Sequence, residues 1–120
     1  MEFDFRELPA QERYRLLCSF VAPRPIALVT TVSTSGLSNA APMSFFNVFA
    51  QEPPIAILGI GNKPDGLVKD TLTNIQETGE FVINLCDLSI AQAMVDCGIN
   101  FEHDVDEVEK TGCVSGSVSR

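Results

Sequence analysis

Residues 26–32 read Ile26-Ala27-Leu28-Val29-Thr30-Thr31-Val32, residues 33–36 read Ser33-Thr34-Ser35-Gly36, and residues 39–47 read Asn39-Ala40-Ala41-Pro42-Met43-Ser44-Phe45-Phe46-Asn47. The first run is almost unbroken in apolar and β-branched residues, which predicts a strand covered on both faces. The Ser/Thr/Gly cluster predicts a turn, with Gly36 able to take a positive φ. Residues 37–50 predict a second extended stretch, but Asn39, Pro42, Ser44 and Asn47 interrupt its apolar residues. Pro42 has no N–H to give to a ladder, so this strand is expected at a sheet edge, bulged or bent there.

Upstream, Tyr14, Leu17 and Val21 recur at i, i+3, i+7. They predict a short helix that opens near Pro9 and cannot pass Pro23 and Pro25. Downstream, Pro53 and Pro54 mark a corner, residues 55–60 a third strand, and residues 61–66 a loop. Residues 70–78 predict a helix with Leu72 and Ile75 facing inward, Asp70 as cap and Gly79 as stop. Residues 81–85 predict a fourth strand. Residues 88–97 predict a second short helix with Ile90, Ala93, Met94 and Cys97 on one face, Ser89 as cap and Gly98 as stop. Residues 102–109 are acidic and polar and predict a solvated loop; the tail, residues 115–120, has no burying power. Strands and long helices do not alternate regularly, so a doubly wound parallel sheet is disfavoured. Short strands with Pro and Gly corners predict a mainly β domain, an antiparallel barrel or sandwich with inserted helices.

The chain has 120 residues, 45% hydrophobic and 20% charged, a size and composition for one globular domain. Sixteen acids against eight bases give a net charge of -8. That sign opposes nonspecific binding to nucleic acid or anionic membrane, since both are polyanions. No apolar run approaches the roughly 18–20 residues that span a bilayer, and the acidic start, Met1-Glu2-Phe3-Asp4, does not read as a secretory signal. Cys18, Cys86, Cys97 and Cys113 form no C-x-x-C pair, and His103 is the only histidine, so a zinc site is disfavoured. Reduced thiols in a cytoplasmic protein are expected.

Four features bear on chemistry. Gly59-Ile60-Gly61-Asn62-Lys63-Pro64 begins like a dinucleotide fingerprint, but Pro64 stands where close helix–strand packing needs glycine. His103 lies among Glu102, Asp104, Asp106 and Glu107, a pattern expected of a solvated face rather than a metal or acid–base cluster. Lys69-Asp70-Thr71 opens a predicted helix, where free N–H groups, an ammonium and a hydroxyl favour an anion. The same run is also compatible with an ordinary surface helix carrying incidental charges. Arg24 and Lys63 are the other positive groups available to a phosphate. Residues 39–47 place amides and a hydroxyl beside aromatic rings, which suits a flat heteroaromatic ligand as well as a half-buried edge strand.

Taken in order, Arg24-Pro25-Ile26-Ala27-Leu28-Val29-Thr30-Thr31, Asn39-x-Ala41-Pro42-x-Ser44-Phe45-Phe46-Asn47, Pro53-Pro54, Lys69-Asp70-Thr71, Asn74-Ile75 and Thr78-Gly79-Glu80-Phe81-Val82-Ile83-Asn84-Leu85 resemble the flavin reductase-like, FMN-binding split-barrel family. The resemblance covers about residues 19–112. It implies a Greek-key split β-barrel, incomplete at the C-terminal side here, working as a homodimer with noncovalent FMN, or FAD, near the subunit interface. It divides the chain into a helical lead-in (1–21), the split-barrel domain (22–112) and a polar tail (113–120). Carried over, Lys69, Asp70 and Thr71 serve the flavin phosphate, Asn39, Ser44, Phe45, Phe46 and Asn47 line the ribityl and ring portions, and Arg24 and Thr31 complete the set. The implied activity is hydride transfer from NAD(P)H to flavin, with no acid–base residue of the protein's own. A noncatalytic flavin-binding electron carrier, or an inactive fragment of a reductase, would carry the same residues.

Overall fold

The computed structural model describes residues 1–99 and 105–112. Its elements are α1 (Ala10–Phe20), β1 (Ala27–Val32), β2 (Ser38–Met43), β3 (Phe46–Gln51), β4 (Pro54–Leu58), α2 (Asp70–Thr78), β5 (Val82–Leu85), α3 (Ala91–Asp96) and α4 (Glu107–Thr111). The expectations for His103 and its immediate acidic neighbours, for Cys113 and for the tail fall wholly or partly outside the described residues.

The apolar run becomes β1, the central strand of a three-stranded sheet ordered β2-β1-β5, antiparallel on both sides. Ala27, Leu28 and Val29 are fully buried because β1 is covered on both faces. On one face Leu28 and Ala40 meet Cys97, with Ile90, Ala93 and Met94 of the α3 region packed against them. On the other, Ala27, Val29 and Met43 pack with Phe46, Leu58 and Ile83. The helix expected over residues 88–97 is shorter, Ala91–Asp96, but its spacing does form a packed face, with Cys97 buried and Ile90, Ala93 and Met94 half-buried; Ile90 rather than Ser89 stands at the N-cap, and Ser89 bonds Asp87 instead.

The second extended stretch divides into two strands. β2 pairs with β1, and β3 pairs with β4 in a separate two-stranded sheet, the break falling at Ser44-Phe45 rather than at Pro42. Pro42 sits within β2 because β2 is an edge. The N–H groups of Ser38 and Ala40 point away from β1, and Pro42 shares their parity, so the donor it lacks would face outward. Phe45 O accepts from Gly59 N–H at 2.8 Å across the bend. A Cβ at residue 59 would lie 2.9 Å from Phe45 Cβ, so glycine is what lets the two segments approach.

α2 has the predicted bounds, and Gly79 ends it in the left-handed region at φ 72°. Lys69, not Asp70, is its N-cap, and its buried residues are Thr71 and Asn74 rather than the apolar pair. α1 has the predicted extent, but none of its residues is buried; Tyr14, Leu17 and Val21 remain exposed. The two sheets are open. Along the β3–β4 hairpin Val48 and Phe49 are each 66% exposed and Ile55 and Ile57 are exposed as well.

Candidate functional site

α4 builds the site from its far side. The run expected to be a solvated loop contains a helix whose N-cap, Asp106, accepts from Glu109 N–H at 2.9 Å and from Ser38 N–H at 3.0 Å. Glu107, 8% exposed, accepts from Ala40 N–H at 3.0 Å and Asn39 Nδ2 at 2.7 Å. Two neighbouring carboxylates thus satisfy the outward donors of the β2 edge, which otherwise lies open to another strand.

Asn39 is the junction. Its Oδ1 accepts from Thr71 Oγ1 at 2.8 Å and Thr31 Oγ1 at 3.4 Å, and Asn74 Nδ2 donates to Thr31 Oγ1 at 3.0 Å. Strands β1 and β2, helix α2 and helix α4 are therefore tied by one polar chain. Beside it lies a cleft of about 70 Å³ lined by Asn39, Lys63, Lys69, Asp70, Thr71 and Glu107 among others. That is far below the roughly 300 Å³ at which pockets enclose a drug-sized ligand. It suits a small polar terminus, with any larger body lying outside.

The electrostatics of the cleft are balanced rather than positive. Lys63 Nζ is 3.0 Å from Asp70 Oδ2, a pair about one-fifth exposed on each side. The Lys69 ammonium makes no ion pair or hydrogen bond among the described residues. Leu72 and Thr73 N–H both close on Lys69 O, which leaves the N–H of Thr71, a residue lining the cleft, without a partner inside the helix. Burial, with the Asp70 charge nearby, pushes the Glu107 carboxyl above its ordinary value, although the Ala40 N–H pulls it down. Asp106 is held below its ordinary value, chiefly by the Glu109 N–H.

These opposite shifts predict opposite slopes of stability with pH. Asp106 contributes stability that is full above the ordinary aspartate range and is lost as pH falls through its folded value. Glu107 contributes most when protonated, and that contribution is lost as pH rises from the ordinary glutamate value through its folded value. Urea midpoints measured from pH 3 to 8 should show Asp106→Asn flattening the acid limb alone and Glu107→Gln flattening the limb above it alone. A single variant that flattens both would overturn the assignment.

The predicted site residues fall into separate groups. Asn39, Lys69, Asp70 and Thr71 meet at the cleft, with Thr31 bonded behind it. Arg24 and Phe45 form a second group: the guanidinium carbon lies 5.6 Å from the Phe45 ring centroid, and the Tyr14 ring lies 5.8 Å from it on centroids. Ser44 stands at the bend between β2 and β3. Phe46 packs into the apolar cluster with Met43, and Asn47 is exposed with its Oδ1 bonded to Val48 N–H. Glu107 was not among the sequence candidates, because its neighbours in the chain are acidic and its partners are not local.

An open antiparallel sheet, a bent strand leading into a second sheet, and a polar cleft at a helix start define a split-barrel architecture. The chain belongs to the flavin reductase like domain family, whose profile it matches over residues 20–118. It is 46% identical over 112 residues to an uncharacterised protein of Halalkalibacterium halodurans, covering 93% of this chain and 54% of that one. Among solved structures, a Pseudomonas fluorescens 2-nitrobenzoate 2-nitroreductase is 39% identical with a TM-score of 0.79, covering 93% of this chain and 52% of that one. Component B of a Bacillus cereus nitrilotriacetate monooxygenase is 34% identical with a TM-score of 0.85, covering 93% and 55%. The chain thus spans about half the length of the relatives it matches. Among the described residues no helix is long and apolar enough to cross a membrane.

Proposed function

We propose that this chain forms the FMN-binding part of an oxidoreductase that takes hydride from NAD(P)H. The observation that carries this reading is the Lys69 ammonium, unpaired among the described residues, at the start of α2 in a cleft that it shares with Thr71 and with Asn39 of β2. The donor set fits a flavin phosphate: an ammonium and a helix-start N–H recognise a dianion by direction, which a cleft with balanced charge requires. Its small volume fits a phosphate and leaves the ring to the surface running toward Ser44 and Phe45.

In this reading the Lys69 ammonium and the Thr71 backbone N–H anchor the phosphate, Asn39 takes the Thr71 hydroxyl proton and holds that residue in place, and Lys63 keeps the Asp70 carboxylate occupied. The Arg24–Phe45 pair offers a cationic, aromatic surface for the ring end. A bound flavin supplies the hydride-accepting chemistry. The split-barrel unit is residues 22–112 with 1–21 as its lead-in. A second copy of the chain covers the exposed hairpin residues Val48, Phe49, Ile55 and Ile57, giving a homodimer. The ordinary globular composition, which needs no disulfide staple, accords with reduced thiols in the cytoplasm.

The test is an FMN titration followed by anaerobic mixing with NADH or NADPH. Quenching of flavin fluorescence and bleaching of its absorbance are expected. Binding without bleaching would leave an electron carrier in place of a reductase, and no quenching at all would remove the flavin reading.

A further inference from the structure

We propose that Glu107 is a positioning residue for the phosphate end of this site: its carboxylate selects one orientation of the Asn39 amide, and Asn39 in that orientation holds Thr71 and the first turn of α2. The proposal rests on the flavin reading above for its ligand, but its geometry belongs to the protein alone.

Glu107 Oε2 accepts from both Asn39 Nδ2, at 2.7 Å, and Ala40 N–H, at 3.0 Å. Turning the Asn39 amide over would set its carbonyl oxygen against the carboxylate and its NH₂ against the threonine hydroxyls. The carboxylate, an acceptor only, forbids that arrangement. With Nδ2 committed, Oδ1 faces α2 and accepts from Thr71 Oγ1 at 2.8 Å. Thr71 is 1% exposed and stands two residues after Lys69, so whatever fixes Thr71 fixes the helix start that carries the lysine. Among the described residues the charged groups around Glu107 are Asp70 and Lys63 across the cleft and Asp106 at the N-cap of its own helix. Glu107 lines the same cleft, but as an anion it does not hold a phosphate; its hydrogen bonds reach Thr71, and through it the helix start that carries Lys69, by way of Asn39.

A role confined to general stability predicts equal weakening of every flavin. Positioning of the phosphate end predicts a change in preference. In Glu107→Ala the ratio of FMN to riboflavin affinity should fall about tenfold, the scale of one lost hydrogen bond of this kind. In the ligand-free protein, the amides of Leu72 and Thr73 should exchange with solvent about tenfold faster relative to those of β1, since local opening reports the loss of the same restraint. Glu107→Gln keeps an acceptor oxygen for Asn39 and Ala40 and should restore both readouts to within about threefold of wild type. Glu107→Asp keeps the charge but withdraws the oxygen by one methylene; it folds the test into a second variant should the alanine form not fold, and it should shift both readouts in the alanine direction. Equal losses for the two flavins, unchanged first-turn exchange, or rescue by Asp but not Gln would each overturn the proposal. If wild type binds neither flavin, the flavin reading fails by itself, and the exchange comparison still supports or overturns the positioning role.

Discussion

Lys69→Ala is expected to weaken FMN by about 1.5–3 kcal/mol, roughly 10- to 150-fold in Kd, and to leave riboflavin nearly unaffected. The size follows from losing one charge-assisted hydrogen bond to a dianion. The selectivity follows from the cleft's charge balance. Lys63 is already engaged with Asp70, so among the described residues lining the cleft Lys69 is the cation that a phosphate can recruit without breaking an existing pair. Paired fluorescence titrations with the two flavins measure it. Equal losses for both would refute the placement of the phosphate at α2. Raising the salt concentration should erode FMN affinity more than riboflavin affinity, because only the former includes a charge that ions screen.

Leu28→Ala should cost about 2–5 kcal/mol of folding stability, the usual range for a fully buried leucine whose site cannot collapse. Leu28 has no exposed surface and packs with Ala40 and Cys97, against which Ile90, Ala93, Met94 and Val108 rest. Its loss therefore loosens α3 and α4 together, and with α4 the carboxylates that satisfy the β2 edge. Against a typical total of 5–15 kcal/mol, that loss leaves a small margin. Urea unfolding should show a lower midpoint at an unchanged slope; a shift below about 1 kcal/mol would mean that the residue is less enclosed than its burial indicates.

Much of this was legible because the signals were local. The β-branched run around Val29 had only one good structural outcome, and the Asp70 to Gly79 segment carried its own start and stop. The face formed by Ile90, Ala93, Met94 and Cys97 packs as its spacing required. The same spacing rule at Tyr14, Leu17 and Val21 gave a helix but no burial, because periodicity describes a face and says nothing of what will cover it. Of the outcomes open at Pro42, an edge, a bulge or a bend, the structure takes the edge, since a proline whose missing donor points off a sheet edge costs the strand nothing; the bend falls two residues later. Glu107 was illegible in principle: among acids it reads as solvent-facing, and only two N–H groups 67 and 68 residues earlier make it a buried acceptor. The site residues followed a similar division. Lys69, Asp70, Thr71 and Asn39 converge, while Phe46 serves the core and Asn47 serves its own backbone.

The Asn39–Glu107 contact also sets an order of events during synthesis. It joins residues 68 positions apart, and at a translation rate of about 5–20 residues per second the ribosome needs roughly 3–14 s to add that length. Through that interval the nascent β1–β2 hairpin can exist, but the outward amides of Ser38 and Ala40 can bond only to water or to a stray strand. The carboxylates that quiet them arrive only after that interval, so the cleft is assembled after the β1–β2 scaffold rather than with it.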